Sequence, residues 1–259
     1  MRHGRHRHRH PPLICQGGAM PRFFTDQIDG HQGIITGEDA MHIAKSLRMH
    51  PGEELTLCDK HSGDYPGIIE SVTPQQVIVS LGEKHPCIAE PSVHTALFQA
   101  LPKGDKMEWI VQKAVELGVS EIHPVLTHRC ISRPDAKSSA KKQERYQKIA
   151  YEAAKQCGRG IIPVFGPILT LEQALEQMLQ YEKPMVFYEH SRQPLRDVLR
   201  GQWRSAAILV GSEGGFEQQE IQQALEKGIC DASLGNRILR CETAPLAALS
   251  VLMYQSGNL

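Results

Sequence analysis

The sequence predicts an α/β protein in two parts, a small closed or half-closed β-barrel followed by a larger domain built on a mostly parallel sheet. Three observations predict it. Short strand-like runs crowd the segment from Pro21 to about Glu90. Beyond "AEPS", strands alternate with amphipathic helices, the pattern of a parallel sheet. The chain of 259 residues, 41% apolar and 22% charged, is long enough for one large domain or two ordinary ones.

In the first part the runs "RFF", "GII", "EELTLCD", "YPGIIESV" and "QQVIVSL" are separated by turn material such as "KHSGD" and "TPQ". One helix interrupts them, "GEDAMHIAKSLR", with Met41, Ile43, Ala44 and Leu47 near helical spacing. Its Lys45 and Arg48 lie three apart and are expected to share a face.

After a boundary near Pro91 the elements follow in order. "VHTALFQAL" reads as a strand. "DKMEWIVQKAVELGV" reads as a helix with Met107, Ile110, Val111, Ala114 and Leu117 inward and Gly118 as its stop. Then come strand "EIHPVL", a long basic helix from about Ser138 to Gln156, strand "IIPVFG", helix "LEQALEQMLQ", strands "PMVFYE" and "AAILVG", helix "EQQEIQQALEKG", strand "DASLG" and a last helix from about Thr243. Thr243 suits an N-cap, and Pro245 is tolerated in a first turn.

Residues 1–19 stand apart, with four arginines, four histidines and no acidic residue. They read as a disordered leader or tag, or as sequence upstream of a start at Met20; a metal-binding or nucleic-acid-binding arm is the alternative. The rest carries 25 basic against 29 acidic residues, a net charge of −4. A protein that coats nucleic acid would be more basic, so any such binding must use a local patch. Seven scattered cysteines without a C-x-x-C pair argue for reduced thiols rather than disulfides or structural zinc. No apolar run approaches the roughly 18 residues of a membrane span. A soluble, cytoplasmic protein that needs neither metal nor membrane is expected.

In open parallel sheets, ligands bind beyond the carboxyl ends of strands. The loop "GSEGGF", Gly211 to Phe216, follows an apolar strand and carries three glycines, which permit a tight turn and close backbone approach. An ordinary turn would look the same. Dinucleotide and phosphate-loop fingerprints are absent, as are H-E-x-x-H and G-x-S-x-G. Glu213 would repel phosphate; it suits an ammonium, a ribose or a sulfonium. Downstream, Arg237 and Arg240 flank Ile238 and Leu239, so this loop can offer apolar contact to a base and cations to a polyanion. Capping the preceding helix or pairing with Glu242 is the plainer role for these arginines. On the long helix, Lys141, Lys142, Arg145 and Lys148 form the best local basic patch, against the alternative of a solvated face. Arg159 follows in "QCGRG".

Together "ILVGSEGGF", "LGNRILRCETA", "KAVELGV" and "EAAKQCGR", behind a β-rich domain opening "PRFF", resemble the RsmE family of ribosomal RNA uridine N3-methyltransferases, within the SPOUT superfamily. The resemblance covers essentially Met20 to Leu259. It implies a PUA-like barrel over residues 20–90 that grips RNA, and a methyltransferase domain with a deep trefoil knot over 91–259. It further implies a homodimer that transfers methyl from S-adenosylmethionine to N3 of a uridine in 16S ribosomal RNA of the small subunit. A noncatalytic RNA-binding or assembly factor, or a ribose 2′-O-methyltransferase of the same superfamily, are the alternatives.

By the same resemblance, the cofactor would be held by the segments Leu209 to Gly215 (Leu209, Val210, Gly211, Gly214, Gly215) and Leu234 to Arg240 (Leu234, Gly235, Ile238, Leu239, Arg240). Thr243 and Glu189 would border the pocket. Arg237 and Arg159 are the candidates for stabilising a uracil anion or positioning phosphate, and Glu213 for a base. Arg22, Lys45 and Arg48, with Lys141, Lys142 and Arg145, would hold RNA. Ser212 and Cys241 stand where the family more often has proline and threonine.

Overall fold

The computed structural model describes residues 20–259, so the basic leader and Cys15 lie outside the described residues. The chain divides into two compact units, one of residues 20–23, 27–57 and 65–83, the other of 24–26, 58–64 and 84–259.

The first sheet contains β1 (Arg22–Phe24), β2 (Ile28–Asp29), β3 (Gln32–Thr36), β4 (Glu54–Cys58), β5 (Gly63–Val72) and β6 (Gln76–Leu81) in the order β1-β4-β5-β6-β3-β2. A two-residue strand, β7 (His85–Pro86), pairs with the start of β5. Alternation sets the inner face: in β6, Val77, Val79 and Leu81 point inward, joining Phe23, Ile35, Leu55, Leu57 and Ile69 in one core. The order is an open path with β1 and β2 at its ends, so the sheet is the half-closed form of the expected barrel, not the closed one.

The helix expected at 37–48 forms differently. α1 (Gly37–Met41) widens into a π-helical segment, His42–Leu47, and Arg48 ends it in the left-handed region at φ 53°. Lys45 and Arg48 are both exposed, but the three-residue spacing no longer places them on one α-helical face.

The second sheet is parallel throughout. Its strands are β8 (His94–Ala100), β9 (Glu121–Leu126), β10 (Val164–Phe165), β11 (Leu169–Thr170), β12 (Lys183–Phe187), β13 (Ser205–Val210) and β14 (Cys230–Ala232). The order is β10-β9-β8-β13-β12-β14, with β11 also on β9. Helices α2 (Lys106–Glu116), α3 (Ala136–Cys157), α5 (Leu195–Val198) and α7 (Ala244–Gln255) cover one face. α4 (Leu171–Met178) and α6 (Gln218–Glu226) cover the other. Hence Leu97, Ile208 and Val210 enter one core while Phe98, Ala207 and Leu209 enter the second. Burial on both faces is why "AAILV" reads as an unbroken apolar run.

The helices obey their sequence signals. α2 buries Met107, Ile110, Val111 and Ala114, leaves Leu117 partly buried, and stops at Gly118, φ +88°. Asp135 caps α3 by accepting from the Ser138 amide at 2.7 Å. α4 carries a reciprocal capping box between Thr170 and Gln173. Thr243 occupies the N-cap of α7 without a side-chain cap bond, and Pro245 sits in its first turn. No described helix is long and apolar enough to cross a membrane.

Candidate functional site

Strand β12 pairs in parallel with both β13 and β14, so the carboxyl ends of these three strands lie side by side. Chain leaving them turns away from the sheet and opens a crevice, the usual ligand position in such folds. A cavity of about 720 Å³ fills it, a size typical of small-molecule sites. Residues 187–189 after β12, 210–216 after β13 and 232–241 after β14 form its walls, with Lys106 from the start of α2.

The glycine loop is built for close approach. The Gly215 amide donates to the Ser212 carbonyl at 2.9 Å, closing a tight turn. Gly215 has φ +66°, a conformation that favours glycine, and a Cβ there would lie 3.0 Å from Glu189 Oε1, close enough that the Glu189 side chain must give way. Strand β8 and the loop after β9 hold the glycine loop: Gln99 Nε2 donates to the Gly211 carbonyl at 3.2 Å, and Arg129 Nη1 to the Gly214 carbonyl at 2.8 Å. The Ser212 hydroxyl is buried in the cavity wall and has no hydrogen-bond partner among the described residues.

Glu213 is tied down. Its carboxylate sits 3.0 Å from Lys106 Nζ and accepts from the Lys103 amide at 3.2 Å. Partial burial pushes its carboxyl up, but these hydrogen bonds outweigh burial and leave it below the usual carboxylate range. Lys106 is raised above its ordinary value by its bonds to Glu213 and then Glu242. Burial, followed by the contact with Glu242, pushes the Cys241 thiol up to about 12, so it stays protonated.

The opposite wall is open. From Asn236 to Leu239 the backbone amides make no hydrogen bond among the described residues. Arg237 and Arg240 are exposed and form no ion pair among the described residues, and Ile238 is 88% exposed. Helix capping and pairing with Glu242, the plainer roles for these arginines, are therefore not realised.

Of the sequence-derived cofactor residues, all line this cavity except Leu209 and Thr243. Leu209 is 1% exposed and packs into the core under α4 and α6. Thr243 lies between the lining residues Cys241 and Ala244 with its side chain exposed. Arg237 and Glu213 line the cavity; Arg159 does not. Arg159 is buried, paired with Glu90 and donating to the Val119 carbonyl, which corrects the reading of it as an anion-stabilising group. Of the basic residues on α3, Lys141 is exposed and Lys142 half-buried, while Arg145 is bound 2.7 Å from Glu108 of α2. Arg22 is half-buried in β1.

Sequence reasoning missed Lys106, Arg129 and Gln99. Lys106 had a signal: it opens a helix, where the dipole disfavours a cation, so a specific partner was implied. Nothing local marks Gln99, which is an apolar strand's one interior polar residue beside Thr95.

The RNA methyltransferase domain family matches residues 89–253, and the RNA methyltransferase PUA domain family matches residues 35–82. Ribosomal RNA small subunit methyltransferase E of Bacillus subtilis (strain 168) is 34% identical over 231 residues, 86% of this chain and 90% of the relative. Its namesake from Buchnera aphidicola subsp. Acyrthosiphon pisum is 27% identical, covering 92% of this chain and 95% of the relative. Among solved structures, ribosomal RNA small subunit methyltransferase E from Neisseria gonorrhoeae, bound to S-adenosylmethionine, matches with TM-score 0.83 at 31% identity, over 91% of this chain and 98% of that one. A Legionella pneumophila methyltransferase structure holding the same cofactor matches with TM-score 0.82 at 32% identity, over the same shares. By sequence and by fold alike, the chain belongs to the ribosomal RNA small subunit methyltransferase E family.

Proposed function

We propose that this protein is an S-adenosylmethionine-dependent methyltransferase acting on N3 of a uridine in 16S ribosomal RNA of the small ribosomal subunit. The observation that carries it is the cavity at the ends of β12, β13 and β14, walled by the two family loops. The residues fit the cofactor. The Glu189 carboxylate on the cavity wall is available to a cation, Gly215 keeps the backbone open to close approach, and the buried Ser212 hydroxyl has no partner among the described residues. Val210, Gly211, Gly214 and Gly215 would hold it from one side, and Leu234, Gly235, Ile238, Leu239 and Arg240 from the other, with Glu189 at the rim.

When bound, S-adenosylmethionine supplies a methyl group already activated by its sulfonium. The protein's task is alignment and making the uracil nitrogen nucleophilic. N3 carries a weakly acidic proton that passes to solvent water, and the exposed Arg237 guanidinium on the cavity wall would stabilise the uracil anion left behind. Glu213, held ionised by Lys106, is a weak base at neutral pH and acts by fixing the glycine loop.

The RNA-gripping role belongs to residues 20–90 through Arg22, Lys45 and Arg48, supplemented by Lys141 and Lys142 of α3. A homodimer is supported by the outward apolar residues of α7, Val251 and Tyr254, and by exposed Trp109 on the adjoining α2. We also infer the SPOUT-type trefoil knot, as family membership implies, and a cytoplasmic site of action alongside the ribosomal substrate. With a net charge of −4 on residues 20–259, turnover is expected on a structured ribosomal particle rather than on short RNA.

The test is calorimetric titration with S-adenosylmethionine, followed by mapping of methylated small-subunit RNA. Binding that Gly214→Trp abolishes, and a product that blocks reverse transcription at one uridine, support the reading. A folded protein without affinity, or a product that leaves the base edge free, would refute it.

A further inference from the structure

Lys106 joins the two loops that wall the cavity. Its ammonium lies 3.0 Å from Glu213 Oε1 in the glycine loop and 3.2 Å from Glu242 Oε2 in the segment before α7. The Cys241 thiol, 3.7 Å from the same nitrogen, donates to Glu242 Oε2 at 3.1 Å. The Lys103 amide holds the other flank of Glu213. Among the described residues no other side-chain hydrogen bond or ion pair links residues 211–215 to residues 234–242.

The electrostatics give this contact its effect. Glu213 and Glu242 are two like charges separated by the width of one ammonium, and they sit on loops contributed by distant parts of the chain. With the cation present they attract a common centre; without it they repel and the loops separate. The side chain of Lys106 is only 34% exposed, so water screens the arrangement less than on an open surface.

We infer that Lys106 is a positioning residue that sets the spacing of the two cofactor loops, and through it the affinity for S-adenosylmethionine. The inference rests on the cofactor reading above, but the clamp is made by the chain's own residues and can be tested without added ligand.

Two measurements test it on the full chain, hydrogen exchange of the ligand-free protein and titration with S-adenosylmethionine. Lys106→Met should speed exchange across residues 211–215 and 236–241 and weaken binding by about tenfold. Lys106→Arg should restore both to near wild-type values. Adding Glu213→Gln to Lys106→Met should recover part of the loss, because it removes one of the two repelling charges. Unchanged exchange and affinity in Lys106→Met would overturn the inference, as would a loss that neither Arg nor the second substitution recovers. Failure of the wild type to bind would instead refute the cofactor reading, and the exchange measurement would still decide the clamp.

Discussion

Arg159 and Glu90 form a buried, doubly hydrogen-bonded pair, with Nη2 2.9 Å from Oε2 and Nε 3.2 Å from Oε1. Their side chains are 4% and 11% exposed, and Glu90 also accepts from the Gly160 and Ile161 amides. Removing one partner strands a buried charge, which costs about 3–5 kcal/mol. Arg159→Ala should therefore lower the unfolding free energy measured in urea by that order while the folded fraction keeps wild-type affinity for S-adenosylmethionine. A stable variant with impaired methyl transfer would return Arg159 to the catalytic site.

Gly215→Ala forces a side chain into the left-handed region and against Glu189. The strain is about 1–2 kcal/mol. Relaxation of the loop should weaken cofactor binding about five- to thirtyfold, with little change in the unfolding midpoint. Unaltered binding would show that this turn does not shape the pocket.

Arg237→Ala removes the cation proposed to stabilise the uracil anion. The turnover number should fall about a hundredfold, while calorimetry finds the cofactor affinity nearly unchanged. Arg237→Lys should recover part of the rate. A rise in KM with the turnover number unchanged would place Arg237 in RNA binding rather than in the chemical step.

At the amino-terminal end of the parallel sheet, Glu121 bridges His94, at 2.6 Å, and His123, at 2.9 Å. The hydrogen bond from His123, aided by His94 against partial burial, holds its carboxyl at about 2, below the ordinary 4.5. A depressed folded value stabilises the protein above the unfolded value and is lost as pH falls. Glu121→Gln should thus be less stable than wild type at pH 7, and the gap should close as pH falls from about 4.5 toward 2. Urea titrations across that range decide it; a constant gap would mean that the carboxylate's charge is irrelevant.

Much of the second domain was legible locally. Unbroken apolar runs such as "AAILV" and helices with apolar residues at three- and four-residue spacing fix their own type, because burial on two faces or one leaves opposite patterns. The short α5 and β11 were not legible, since four and two residues carry no period. Nor was the π-helical widening at His42–Leu47: its residues have ordinary helical spacing, and the ladder shift is a response to packing.

For the site, sequence alone singled out two loops that the fold brings to one cavity, because glycines after an apolar strand and arginines around an apolar pair are chemically unusual wherever they fold. Tertiary structure decided which charges reach that cavity. Arg159 and Arg237 are indistinguishable as letters, yet one is buried against Glu90 and the other is exposed at the cavity. Lys106 becomes a site residue only because parallel pairing of β8, β13 and β12 brings the start of α2 beside two distant loops. Charge is a property of the residue, but what it neutralises depends on neighbours that only the folded chain supplies.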